Sequence, residues 1–338
     1  MRAKTAFLAA LTSLIAAQHL RSEPSRDPFS FLKPAIQFSD EDLHHLDARK
    51  VLLRILPGEG QELATLAAGS LDVDSDAFVS SVRDMPDLKK GPLVPEIERF
   101  STPPQPGDVQ PLTLERVDLD EIKGCRPERP EHCGLTLEPE EIAALQKAIS
   151  TAHGDPNGAI DREFRQIVLE RATRYLTRGD QATNRQFSVL LQHSPYVQSR
   201  LPQLVAYLES YPGIPLPGAE SFLYWSKEMY AWKPMITVTH VTILRSSGEN
   251  GAPEVLVASR DIFSTRYTSG SLVLAMLFRD PGEPSRHYLV YINRTLVDGM
   301  RALWRPFVEL RIKGQARKVF AAARDRIEEH ALASASSR

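Results

Sequence analysis

The clearest alternation of apolar and polar positions lies in the last third of the chain. MITVTHVTIL, EVLVASRDIFST, SLVLAMLFR and HYLVYINRTLV are runs of strand length rich in β-branched and aromatic residues, separated by the turn clusters SSGENGAP, RYTSG and DPGEPS. They predict an antiparallel meander of four strands. After Asp298-Gly299, the apolar residues Val308, Ile312, Ala316, Val319, Phe320, Ala323 and Ile327 recur every three or four positions. That period predicts a helix from Pro306 to about Leu332 whose apolar stripe can lie across a sheet.

Upstream the period is helical. DREFRQIVLERATRYLTRG places Phe164, Ile167, Val168, Ala172, Tyr175 and Leu176 on one face, with Gly179 in the stop position. Glu138 or Thr136 caps a helix beginning at Pro139, Ser194 precedes another at Pro195, and Pro202 breaks or kinks it. Closer to the N-terminus, HLDARKVLLRILPGEG reads as a short helix or strand and QELATLAAGSLDV as a strand. DSDAFVSSVRDM reads as a helix capped by Asp74 or Ser75, and GPLVPEIERF as extended chain. STPPQPGDVQP, with four prolines in eleven residues, forbids regular structure and marks a boundary.

The predicted class is α+β: an antiparallel sheet with a long C-terminal amphipathic helix and a large helical insertion or layer. The segments are a signal (1–17), a tether (18–38), an N-terminal α/β part (39–110), the helical insertion (111–215), and the meander with its closing helix (216–332).

The first segment changes the expected address. MRAK is followed by the thirteen-residue apolar run TAFLAALTSLIAA and then by polar QHLRSEPSRD, the layout of a secretory signal, with a buried N-terminal helix or an uncleaved anchor as alternatives. The run is short for a transmembrane helix, and no later stretch approaches the length a span needs. The expectation is an exported protein, periplasmic or secreted, with no transmembrane span in its mature chain. Charge excludes one class of partner: 41 basic and 43 acidic residues give a net −2 and are interspersed, so no basic stripe for nucleic acid stands out.

In an oxidising compartment the two cysteines of CRPERPEHC, Cys125 and Cys133, can close a small loop. A structural metal site usually needs four ligands and this loop offers no second pair, so a disulfide is the better reading over free thiols. Pro127 and Pro130 already stiffen the loop, so the bond pins a linker rather than the fold.

Local stretches resemble a known superfamily. LAAGSLDVDSDAFVSSVRDMPDL is similar to the opening strand and helix of START-like (SRPBCC) helix-grip proteins, and HYLVYINRTLVDGMRALWRPFVELRIKGQARKVFAAARDRI to their closing strand and helix. The resemblance covers about 61–100 and 235–330; residues 110–230 have no counterpart in a minimal helix-grip domain. It implies a cavity between sheet and long helix, which in that superfamily holds lipids, sterols or other apolar molecules; no residue role transfers with it. The whole chain also resembles secreted bacterial proteins with similar YWSKE…P-x-I-T-V-T-H and VRD-x-P-x-L-K-K stretches, a resemblance that names no function.

Candidate chemistry is sparse. There is no GxSxG, P-loop, dinucleotide fingerprint, HExxH or CxxC, and no cofactor or metal is implied. His240 alternates with Ile236, Val238, Thr242 and Leu244, so it is either a hydrogen-bonded core residue or a polar anchor for a ligand. Arg260 and Asp261 point to opposite faces, and Arg294 is the nearest partner for an inward carboxylate. That set is an ion pair inside the fold or, the simpler reading, the charged edge of a sheet. FLYWSKEMYAW, with Tyr224 and Trp225, forms a core plug, lines a pocket mouth or meets a membrane.

Three functions remain in view. The first is an exported protein binding an apolar or lipid-like molecule between sheet and helix, with His240 and Arg294 or Tyr291 at its polar end. The second is a non-catalytic envelope module with a protein partner. The third is a small-molecule hydrolase or cyclase using His240 with a carboxylate such as Asp261.

Overall fold

The computed structural model describes residues 27–229, 233–300 and 305–336. The segment read as an export signal lies outside the described residues, as do Tyr230 and Trp232 of the aromatic stretch.

The chain forms one eight-stranded sheet, antiparallel throughout, between two helical layers. Helix α1 (Asp40–Asp47) is followed by the hairpin β1 (Leu52–Leu56) and β2 (Glu62–Leu71), then α2 (Ser75–Arg83), α3 (Met85–Lys89) and β3 (Glu96–Arg99). Six helices come next: α4 (Arg116–Gly124), α5 (Pro139–Thr151), α6 (Pro156–Arg178), α7 (Gln181–Gln192), α8 (Pro195–Arg200) and α9 (Pro202–Ser210). The meander is β4 (Glu220–Glu228), β5 (Met235–Arg245), β6 (Val255–Ser264), β7 (Thr268–Arg279) and β8 (His287–Val297), closed by α10 (Arg305–Ser336). Spatial order is β1-β2-β8-β7-β6-β5-β4-β3. β8 therefore returns to pair with β2 over ten residues, from Glu62 opposite Leu296 to Leu71 opposite His287.

Local chemistry explains several boundaries. Asp74 caps α2 by accepting from the Ala77 amide, and Asp155 caps α6 by accepting from the Gly158 amide. Proline opens α5, α6, α8 and α9, where its missing N–H costs nothing. Pro202 breaks the helix as expected: α8 ends at Arg200 and α9 begins at Pro202. The meander has five strands rather than four, because FLYWSKE is itself a strand. Its alternation was masked by Lys227, which is buried (1% exposed) and paired with Glu96 and Glu115 instead of facing solvent.

Both sheet faces are covered, by different elements. On one face, Phe222, Val241, Ile243, Val257, Leu277 and Leu289 pack with Phe78, Val79 and Val82 of α2 and with Phe320 and Ile327 of α10. On the other, Leu223, Trp225, Ile236, Val238, Ile262 and Phe263 share one core with α4–α6, while Leu256, Leu274 and Val290 pack against α7–α9 and Phe29–Leu46. The helical insertion thus has no separate core; the sheet is its floor. Cys125 and Cys133 form the expected disulfide, tying the end of α4 to the approach to α5, with Cys125 inside that shared core.

α10 lies over β1 and β2 and against α2 and α3. Gly69 of β2 permits this: a Cβ there would sit 2.9 Å from the Phe320 ring. The C-terminal half is fixed further by Arg49 with Glu328, by Arg326 donating to the Leu88 carbonyl and by Arg324 donating to the Arg49 carbonyl. No helix among the described residues is long and apolar enough to cross a membrane.

Candidate functional site

With α10 drawn to the β1–β2 side and α3 to the β3–β4 side, part of the sheet between them stays uncovered. On β6, β7 and β8 the residues facing the insertion are buried, whereas Ser259, Asp261, Val273, Ala275, Tyr291 and Asn293, which alternate with them, keep contact with solvent. Pairing places five of these side by side, Ser259 opposite Val273, Val273 opposite Asn293 and Ala275 opposite Tyr291, and Asp261 follows Ser259 on the same face of β6. They form a half-buried strip on the α10 side of the sheet. In the N-terminal half of α10, Val308, Ile312 and Ala316 are half-buried as well.

A polar cluster adjoins Asp261. Glu228 Oε1 accepts from Lys89 Nζ at 2.5 Å and from Ser226 Oγ at 2.8 Å, and Lys89 Nζ also reaches Tyr224 Oη at 3.2 Å. Asp261 Oδ1 accepts from Thr239 Oγ1 at 2.7 Å. Asp261 is ringed by protein yet still reaches solvent. Desolvation there, with the nearby negative charge of Glu228, raises its pKa above the ordinary aspartate value; hydrogen bonds from Thr239 and Ser271 and the charge of Lys89 oppose the shift.

Three of the residues singled out in the sequence, Tyr224, Asp261 and Tyr291, share this face. The other three, His240, Arg294 and Trp225, lie on the opposite one. His240 is buried under the insertion, with Nδ1 2.7 Å from Tyr175 Oη and the Tyr211 ring 4.4 Å away. Desolvation, reinforced by the positive charge of Arg260, lowers its pKa to about 3. The neighbouring Arg260 donates to the Leu208 carbonyl at 2.6 Å and packs over the Tyr175 and Phe187 rings. His240 is therefore a neutral core residue of the sheet–insertion interface, not an anchor for a ligand beneath α10, and it forms no acid–base pair with Asp261 across the sheet.

The charged-edge reading of Arg294 is also corrected. Arg294 is 6% exposed and donates to Glu62 Oε1 at 2.5 Å, while His193 Nδ1 lies 2.5 Å from Glu62 Oε2. The cause is topological: β2 and β1 extend the sheet past β8, so β8 is an interior strand. The inward carboxylate is thus Glu62, not Asp261. Arg260 and Asp261 are likewise mid-sheet residues, between β5 and β7. Trp225 is fully buried on the insertion face, donating from Nε1 to the Asp108 carbonyl at 2.8 Å.

A depression of about 340 Å³ opens on the insertion side, lined by Phe31, Arg200, Leu201, Leu244, Pro253 and Leu256 among others. It lies at the β5–β6 hairpin end and brings together none of the residues the sequence singled out.

Sequence reasoning gave no role to Lys89, Ser226, Glu228, Thr239 or Thr237, whose hydroxyl lies 3.0 Å from Ser226 Oγ. A signal for them was present. All five fall in the VRDMPDLKK and YWSKE…PMITVTH stretches, and the threonines alternate with His240. Among the described residues there is no cluster of His, Cys, Asp and Glu suited to a metal ion. Comparisons with protein families, with curated proteins and with solved structures return no match.

Proposed function

We propose that this protein binds an amphipathic or lipid-like small molecule in the groove between the sheet and α10, and that it does so as an exported member of the START-like helix-grip superfamily. The observation that carries the reading is the unequal covering of the sheet. The insertion and the N-terminal segment bury most of one face, while the α10 face of β6–β8 leaves apolar Val273, Ala275 and Tyr291 beside polar Ser259, Asp261 and Asn293 in contact with solvent. Apolar wall with a few convergent polar groups is the common composition of small-molecule sites. The strand order, in which β8 joins β2 and a long helix closes the chain, supports the superfamily reading. Native mass spectrometry of the protein from its exported fraction, followed by organic extraction, tests the proposal. A stoichiometric apolar adduct is expected. A uniformly apo protein that takes up no amphiphile on titration would sink it.

A second reading, a non-catalytic envelope module, has one feature in its favour. Phe307 and Leu310 in the first turns of α10 are 68% and 71% exposed, an apolar surface of the kind that meets a partner.

A further inference from the structure

The N-terminal half of α10 has two unlike sides. Val308, Ile312 and Ala316 are half-buried on one, and Arg305 donates to the Gly60 carbonyl at 2.7 Å, which seats this half at the β1–β2 turn. Phe307 and Leu310, neighbours at a spacing of three, lie on the opposite side and are 68% and 71% exposed. Gly314 continues that side, and a Cβ added there would meet nothing within 4 Å.

The charge around the apolar pair has one sign. From 305 to 318 the basic residues are Arg305, Arg311, Lys313, Arg317 and Lys318, and the one acidic residue is Glu309, which lies 3.6 Å from Arg305. Arg311, Lys313, Arg317 and Lys318 are exposed, and the last three form no ion pair among the described residues. At 3.6 residues per turn, Arg311 and Lys318 fall on one flank of Phe307 and Leu310, and Lys313 and Arg317 on the other. In a chain of net charge −2 this is a local excess of positive charge wrapped around exposed apolar side chains.

We propose that the N-terminal half of α10 docks on an anionic lipid bilayer, with Phe307 and Leu310 entering the headgroup region and Lys313, Arg317 and Lys318 meeting lipid phosphates. Apolar residues between cationic flanks are the composition of helices that lie in a membrane interface. Long basic side chains suit the flanks, since their stems cover apolar surface while their heads stay at the polar level. A nucleic acid would engage the cations and give Phe307 and Leu310 nothing to do. Attachment is peripheral, because no described helix can cross a membrane. The inference does not rest on small-molecule binding, and the two can fail separately.

The experiment floats the full chain with vesicles of phosphatidylcholine alone and of phosphatidylcholine mixed with phosphatidylglycerol, at low and high salt. Two double variants accompany wild type, Phe307→Ser with Leu310→Ser and Lys313→Gln with Arg317→Gln. Wild type is expected on the anionic vesicles only, and less at high salt. Loss of the two cations should weaken binding about thirtyfold, and loss of the two apolar residues at least about tenfold. Both variants should keep the wild-type unfolding midpoint, because the replaced side chains lie outside the core; if one pair does not fold, the other decides. No flotation with anionic vesicles, equal flotation with both compositions, or binding that survives either double variant overturns the proposal. Binding of a DNA duplex in place of vesicles, lost with Lys313 and Arg317, overturns it as well.

Discussion

His240 sets a measurable acid limit on the fold. It is 1% exposed, has Nδ1 against Tyr175 Oη, and is held down to about 3 by desolvation and by Arg260, whereas a histidine in the unfolded chain titrates near 6.5. Between those two values the unfolded state binds a proton that the folded state refuses, so stability must fall as the pH falls. The slope is about 1.4 kcal/mol per pH unit once the pH is well below 6.5. Integrated from about pH 7.5 down to pH 5, the loss is about 2 kcal/mol, a large share of the ~5–15 kcal/mol that holds a typical fold. His240→Asn removes the titration while keeping an acceptor within reach of the Tyr175 hydroxyl. The assay is urea unfolding of both proteins at half-unit steps across that range; the remaining histidines are common to the two and cancel. The stability difference, wild type minus variant, should move against wild type by about 2 kcal/mol between the ends of the range. Parallel curves would show that His240 is solvated or already charged in the folded protein and would refute a dry sheet–insertion interface around it.

Three other outcomes follow from the geometry. Asp261→Asn should raise the urea midpoint at pH 7, because the ionised carboxylate is disfavoured in the fold; the advantage should vanish below about pH 3.8, where folded and unfolded chains are both protonated, and a variant less stable at neutral pH would contradict the desolvated site. Gly69→Val places a Cβ against the Phe320 ring and should cost about 1–3 kcal/mol by lifting α10 off β2, read as a lower midpoint together with faster proteolysis of the C-terminal helix. Replacing Cys125 and Cys133 with serine should cost no more than about 2.5 kcal/mol, the chain-entropy value for so short a loop, with α4 and α5 still protected from hydrogen exchange; global unfolding would show that the bond holds the layer and not only its linker.

The elements were legible wherever a segment keeps a regular apolar period or a run of β-branched and aromatic residues. α2, α6 and the strands 235–297 alternate cleanly, and their patterns placed them correctly. β4 was not legible as a strand, because Lys227 and Glu228 look solvent-exposed in a sequence and are both buried by ion pairs made with distant segments. The same cause hid the role of Arg294, whose partner Glu62 lies 232 positions away and is brought near only when β2 pairs with β8. For the candidate site, parity along β5 and β6 separated His240 from Thr239 and Arg260 from Asp261, but parity alone does not say which face a helical insertion will cover. That choice is made by the packing of Leu223, Trp225, Ile236 and Val238 against α4–α6.

The insertion therefore does more than add mass to the sheet. An antiparallel sheet can leave one face in water; here the insertion dries the face that carries His240, Arg260, Arg294 and Trp225, and turns each into a packing or ion-pairing residue. α2 and the C-terminal half of α10 dry only part of the other face. What remains is a strip across β6–β8 whose one charged residue among those named, Asp261, is held in a form that costs the fold stability when ionised. The hydrogen bond from Thr239 and the charge of Lys89 offset part of that cost, so the carboxylate is held by the strands and the helix that meet at this end of the strip.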